Sequence, residues 1–213
     1  MPYNIGDRGP AGGFIFYDKK NNGGGWRYLE VAPADLRVVN GIPSVDSEAP
    51  GYREAPATYS FGYFRKGAFE PNLFVNGTRD FRKTDCTSYD LKHGFFNTKA
   101  LVEAMGDEAF SSLRGPQKTG FYAARLCSLL EYTVDGVTYG GWFLPSKAEL
   151  KKIYENLFKN GIGNLEKVTY WSSSELPQNA SVSIYDNFVR KEKDSSCDML
   201  RSSTFHIRPV RMV

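Results

Sequence analysis

Histidine and cysteine are scarce in this 213-residue chain, which has two His and three Cys. So few bases and soft ligands argue against a His-centred catalytic site or a zinc cluster. Cys86, Cys127 and Cys197 stand far apart and no Cys-x-x-Cys occurs, which removes thioredoxin-type and metal-knuckle readings. Cys86 and Cys197 are free to pair or not, and the redox compartment stays open. Cys127 lies in a helical pattern with Ala123, Leu126 and Leu130 and reads as a small buried hydrophobe. No stretch approaches the ~18 apolar residues of a membrane helix, so no transmembrane segment is expected. No charged segment followed by an apolar core opens the chain, so any signal peptide is expected to have been removed or never present. Charge of one sign is scarce too. Lys plus Arg is 27 against 24 Asp plus Glu, a net +3, and the longest basic cluster, Arg190 to Lys193, is broken by Glu192. Nucleic-acid binders cluster their basic residues, so no nucleic-acid partner is expected.

Aromatic residues, by contrast, are plentiful at 15%, alongside 21 Gly and 11 Pro. That mixture reads as short strands, turns and long loops. The length suits one domain over 1–213, large enough to bury about 70% of its unfolded surface. Phe14 to Tyr17 and Trp26 to Val31, separated by the glycines of 21–25, predict a hairpin. Residues 36–96 lack periodicity but carry many Tyr and Phe, and read as an ordered, loop-rich insertion. Asn97-Thr98 is expected to cap a helix ending near Gly106, and a second helix is expected over about 119–131. Asp135-Gly136 predicts a type I′ hairpin. Ser146 and Glu149 predict a capping box at the start of a helix with an apolar stripe through Leu150, Ile153, Tyr154, Leu157 and Phe158, stopped by Gly161. Strands are expected at 168–173, 181–189 and 205–213, the last an edge or bulged strand because Pro209 has no N–H to give a ladder. The order predicts an α+β architecture.

Several blocks together resemble a bacterial family typified by the C-terminal domain of a Legionella collagen-like adhesin. They are Ile5 to Asp18, Gly25 to Pro33, Asn97-Thr98, Ala123-Ala124 with Cys127, Gly141 to Leu150, Tyr170 to Glu175 and Ile207 to Arg211. The match skips most of 36–96. Leu144-Pro145-Ser146 entering a capped helix also looks like the helix start of formylglycine-generating-enzyme-like domains. The resemblance implies a C-type-lectin-like fold: a small, twisted, mixed or antiparallel sheet, two to three helices, and long ordered loops. It also implies a wider group that includes surface adhesins and the variable proteins of diversity-generating retroelements. The chain departs from the pattern between Glu175 and Ile207, where an expected Ala-Trp pair is replaced by Ala180-Ser181 and an expected Gly turn by Val189-Arg190-Lys191. A variable ligand-binding face would lie in that interval.

Other motifs carry less. Glu70-Pro71-Asn72 looks like the calcium-binding tripeptide of C-type lectins. It precedes every expected helix, however, and no Trp-Asn-Asp accompanies it. Ser172, Ser173 and Ser174 beside Glu175 would need a base to become nucleophiles. His206 is expected on the other side of its strand, so a small-residue strand packed against a helix is the simpler reading. His93 reads as an exposed turn residue. Arg208 and Arg211 read as framework residues pairing with Glu175 or Glu30. Formylglycine-generating activity needs a cysteine pair that is missing.

The expectation is a non-catalytic ligand-binding domain of receptor or adhesin type, secreted or on a cell surface, with no cofactor and no metal. Its face would be built from 173–203, with loops of 36–96 beside it. The residues expected to carry it are Ser173, Glu175, Gln178, Ser181, Ser183, Tyr185, Asn187, Lys193, Asp194, Ser196 and Arg201. Tyr, Ser and Asn give contact area and hydrogen bonds at low entropic cost, as in antibody paratopes. The partner would be a protein or glycan on another surface. The alternative is an adhesin for sulfated glycans, which needs Lys and Arg to converge. A formylglycine-generating-enzyme-like enzyme is the weakest reading.

Overall fold

The computed structural model describes residues 2–64, 91, 93–112, 115–175, 182–188 and 196–213, and for 182–187 and 196–199 it fixes the backbone. The first hairpin forms as predicted. β1 (Phe14–Asp18) pairs antiparallel with β2 (Tyr28–Val31) across the glycine-rich loop. β3 (Arg37–Val39) and β4 (Ile42–Ser44) form a second, tight hairpin. It turns on Asn40 and Gly41, both at positive φ (52° and 83°), the conformation of a type I′ turn.

The described part of the insertion is held down by its aromatics. The Tyr59 hydroxyl accepts from Val38 N at 2.7 Å and donates to the Pro56 carbonyl at 2.8 Å. The Tyr52 hydroxyl donates to the Asp35 carbonyl, and the Arg37 guanidinium donates to the carbonyls of Tyr52, Arg53 and Ala55. This is how a segment with little ladder hydrogen bonding satisfies its buried carbonyls. It ends in β5 (Tyr59–Ser60). Glu70, Pro71, Asn72 and Cys86 lie outside the described residues.

Two of the three described helices depart from their expected limits. α1 (His93–Met105) starts before Asn97, so His93 is a half-buried helical residue rather than an exposed turn. Asn97 and Thr98 do not cap it. Their side chains turn inward, Thr98 Oγ1 accepting from Leu144 N at 2.9 Å. After β6 (Ala109–Phe110) and β7 (Lys118–Thr119), α2 is only Ala123–Ser128, because residues 118–119 pair as a strand instead. Cys127 is fully buried in it as a free thiol, as expected. β8 (Tyr132–Val134) and β9 (Val137–Tyr139) form the predicted hairpin, with Asp135 at φ 50° and Gly136 at φ 78°. α3 (Lys147–Asn156) carries the predicted capping box: Glu149 N donates to Ser146 Oγ at 3.2 Å and Ser146 N to Glu149 Oε2 at 2.6 Å. A 3-10 turn at Phe158–Asn160 follows, and Gly161 ends it in the left-handed region.

The remaining strands are β10 (Thr169–Glu175), β11 (Val182–Asn187), β12 (Ser196–Leu200), β13 (Thr204–Phe205) and β14 (Val210–Met212). The expected strand over 205–213 is thus two strands. β13 pairs with β5, and β14 pairs with β2. Pro209 lies between them and offers only its carbonyl, which accepts from Ala32 N at 2.9 Å. β14 is an edge of a three-stranded sheet in the order β1-β2-β14, so the strands nearest the two chain ends share β2. A second sheet runs β10-β11-β12. β10 is buried on both sides. Trp171 belongs to a hydrophobic cluster with α1 and α2, while Tyr170 belongs to another with α3 and the first sheet. The architecture is α+β, with small antiparallel sheets. Among the described residues no helix is long and apolar enough to cross a membrane.

Candidate functional site

β10 is the base of the region expected to bind ligand, and its small residues explain how it is fixed. Ser172, Ser173 and Ser174 are buried, and their size lets the strand approach α1 and the start of α3. Ser173 N donates to the Pro145 carbonyl at 2.7 Å, and Asn97 Nδ2 of α1 donates to Ser173 Oγ at 3.3 Å. Lys147 N, in the first turn of α3, donates to Ser174 Oγ at 3.1 Å. These are the contacts of a packed structural strand. Trp171 Nε1 donates to the Tyr59 carbonyl at 2.9 Å, and its ring lies 4.6 Å from Phe205 and 5.6 Å from Phe61.

The strand ends on an internal ion pair. Arg201 donates to Glu175 Oε1 at 2.9 Å, with 0% and 3% of the two side chains exposed. The Arg201 guanidinium lies 5.0 Å from the Phe61 ring centre, and its carbonyl accepts from Phe61 N and Gly62 N. Burial pulls the Arg201 guanidinium below its ordinary pKa, and the Glu175 charge opposes that shift. Ser173, Glu175 and Arg201, expected on an exposed face, are therefore interior residues that brace it. Glu175 pairs with Arg201 and not with Arg208 or Arg211.

β11 and β12 continue the sheet from this base. Tyr185 stands opposite Trp171 and Cys197, Ser183 opposite Glu175 and Met199, Asn187 opposite Thr169, and Ser196 opposite Asp186. Between the pairs Trp171–Tyr185 and Glu175–Ser183, three residues of β10 stand against one of β11, so β10 bulges where its serines meet the helices. Phe188, just past β11, is buried against Tyr154, Phe158 and Tyr170 with ring centres 4.9–5.2 Å away. Gln178, Ser181, Lys193 and Asp194 lie outside the described residues. Ser183, Tyr185, Asn187 and Ser196 fall on two adjacent strands of one antiparallel sheet.

A second polar cluster sits at the opposite end of β10. Asp35, in the loop after β2, is buried. Its Oδ1 accepts from Arg208 at 3.0 Å, and its Oδ2 lies 3.0 Å from His206 Nδ1 and accepts from the Tyr170 hydroxyl at 3.2 Å. Arg208 also donates to the carbonyls of Gly163 and Asn164. Burial, reinforced by the nearby Asp35 charge, pushes the Tyr52 phenol up to about 12 and raises Tyr170 further. Arg208 is a framework residue as expected, but its partner is Asp35. Asp35 itself gave no sequence signal: it is one carboxylate in Ala34-Asp35-Leu36, with no motif spacing around it.

A third polar site meets its expectation. Arg211 lies 3.4 Å from Glu30 Oε2, and the buried Glu30 also accepts from Ala11 N at 3.1 Å and Gly13 N at 2.9 Å. An open groove of about 670 Å³ between α1 and Gly141–Phe143 is lined by Phe95, Val102 and Trp142 with Lys99 and Glu103 at its rim. No family model matches the chain, and no curated protein matches it in sequence.

Proposed function

We propose that this chain is a C-type-lectin-like ligand-binding domain of receptor or adhesin type, secreted or on a cell surface, that acts without catalysis. Its binding face is carried by β11, β12 and the connecting segments 176–181 and 189–195. The observation that carries this reading is the base beneath the face. β10 is packed on both sides, hydrogen-bonded to α1 and to the start of α3 and closed by the Glu175–Arg201 pair, while β11 and β12 follow it in the sheet. A packed base under strands that carry Ser183, Tyr185, Asn187 and Ser196 suits a surface that changes residues without changing fold. The pairing of both end-proximal strands on β2, with helices flanking two small sheets, supports the C-type-lectin-like architecture. Variation of this face, as in retroelement-diversified proteins, is part of the reading.

A glycan array probed at low and at physiological salt tests it, with a Tyr185→Ala/Asn187→Ala double variant beside the native chain. The reading expects the variant to lose binding while its circular dichroism and melting temperature stay native. Binding to sulfated glycans that fades with salt and survives the variant identifies a basic adhesin surface elsewhere and overturns the choice of face. If no glycan binds, the same variant pair is used as bait for a protein ligand in a cell-surface pull-down. Equal capture by both baits again overturns the choice.

A further inference from the structure

We propose that Asp35, Glu166 and His206 form a binding site for a single zinc-class divalent cation, at the end of β10 opposite the Glu175–Arg201 pair. Each residue offers one ligand atom, and the three atoms lie within 4.8 Å of one another. Zn²⁺ with ligand bonds of roughly 2.0–2.2 Å places tetrahedral ligands a little over 3 Å apart, so modest side-chain closure brings the three onto one ion. The 3.0 Å separation of His206 Nδ1 and Asp35 Oδ2 is already near that spacing.

The residues around the three ligands are arranged as a supporting shell. Ligating carboxylates are themselves hydrogen-bonded in metal sites, which fixes their orientation. Arg208 holds Asp35 Oδ1, and Arg208 is held in turn by the carbonyls of Gly163 and Asn164. Glu166 N donates to the Tyr170 hydroxyl at 3.1 Å, tying the Glu166 backbone to the same cluster. The charges also favour a cation. Two carboxylates and one guanidinium sum to −1, so a divalent ion is not repelled by the set as a whole. His206 is 15% exposed at its side chain and Glu166 is exposed, which leaves an approach from solvent and a place for water as the fourth ligand. One imidazole with two carboxylates, rather than six or more oxygens, selects Zn²⁺ over Ca²⁺ and Mg²⁺. The three ligands come from three separate segments: the loop after β2, the loop before β10, and the residue after β13. A cation there would clasp those segments together at the foot of the strand that carries the face.

Zinc chloride titrated calorimetrically into the full chain tests the site, with Co²⁺ as a spectroscopic substitute. One ion per chain is expected, with a raised melting temperature and Co²⁺ d–d bands free of thiolate charge transfer. Ca²⁺ and Mg²⁺ are expected to give neither. Glu166→Gln changes an exposed side chain and is expected to weaken binding at least tenfold while the metal-free melting temperature holds. His206→Gln is expected to abolish binding. No saturable Zn²⁺ binding, unchanged affinity in Glu166→Gln, or thiolate bands that assign the ion to a cysteine would each overturn the proposal.

Discussion

The two three-stranded sheets each bury a glutamate beside an arginine, and they satisfy it in different ways. In the sheet of β1, β2 and β14, Glu30 accepts from two backbone amides of the Gly9–Gly13 turn, and Arg211 is a third donor at the longer distance of 3.4 Å. In the sheet of β10, β11 and β12, Glu175 faces the guanidinium of Arg201 at 2.9 Å, with both side chains withdrawn from water. The first glutamate shapes a turn, and burial raises its pKa as the dominant influence against the pull of the amides and Arg211. The second holds the end of a strand by charge. A carboxylate held by amides can lose a cationic neighbour at small cost. A carboxylate held by a buried cation cannot, because the charge left behind has been stripped of solvent.

Removing each arginine turns that contrast into numbers. Arg201→Met is expected to cost about 3–5 kcal/mol by chemical denaturation, since it removes the buried cation that faces the Glu175 carboxylate. Arg211→Met is expected to cost about 1–2 kcal/mol, because the two amides remain and one weaker hydrogen bond is lost. Pairing Arg201→Met with Glu175→Leu should recover most of the larger loss. Equal losses for the two single variants would show that Glu175 has as much other support as Glu30, and the contrast would fail.

What could be read from sequence divides along the same line. Features set within a few residues were legible: the Asp135-Gly136 turn, the Ser146–Glu149 capping box, the burial of Cys127 and the packed serines of β10. That Arg211 pairs with a framework glutamate was legible, because Arg211, Glu30 and Glu175 all sit in blocks read as framework, but the choice of Glu30 over Glu175 was not. Features that depend on topology were not. Glu175 and Arg201 are 26 residues apart, and Asp35 and Arg208 are 173 apart, so no local periodicity brings them together. Asn97 shows why even a local signal misleads. Its amide reads as a helix cap, yet it is spent on Ser173 of β10, and the helix begins four residues earlier. Tertiary partners won over propensity there. The expected face was misjudged at both ends for the same reason, since Ser173, Glu175 and Arg201 are polar in sequence but interior in space.

Two glycines sharpen the comparison at smaller scale. Gly13 belongs to the Glu30 turn, and a Cβ there would lie 2.0 Å from the Val31 carbonyl oxygen of β2. Gly13→Ala must push two backbone segments apart, at a cost of about 3 kcal/mol measured by thermal unfolding. Gly136, in the β8–β9 turn, has open space around its would-be Cβ and only its φ of 78° to defend. Gly136→Ala is therefore expected to cost about 1 kcal/mol. A loss at Gly13 no larger than at Gly136 would mean that the Glu30 turn yields easily, against the close packing argued for it.

The smallest effect is a pair of opposite pH dependences within the β1–β2 hairpin. Asp18 receives two hydrogen bonds from Arg27, at 3.0 and 3.2 Å, and these hold its carboxyl well below the ordinary 3.8. Its contribution to stability is present above pH 3.8 and fades as the pH falls through the lowered value. Glu30 is shifted the other way, above 4.5, because burial disfavours its charge more than its donors favour it. Its contribution is full below pH 4.5 and declines as the pH rises through the raised value. Denaturation curves between pH 3 and 7 should then separate the two. Asp18→Asn is expected to show a deficit against the native chain near neutrality that begins to narrow toward pH 3. Glu30→Gln is expected to show a deficit that is largest in acid and closes as the pH rises, because only the native chain must ionise a buried group. If both deficits close in the same direction, the amides of the Gly9–Gly13 turn stabilise the Glu30 charge more strongly than burial opposes it, and Glu30 is held by charge as Glu175 is.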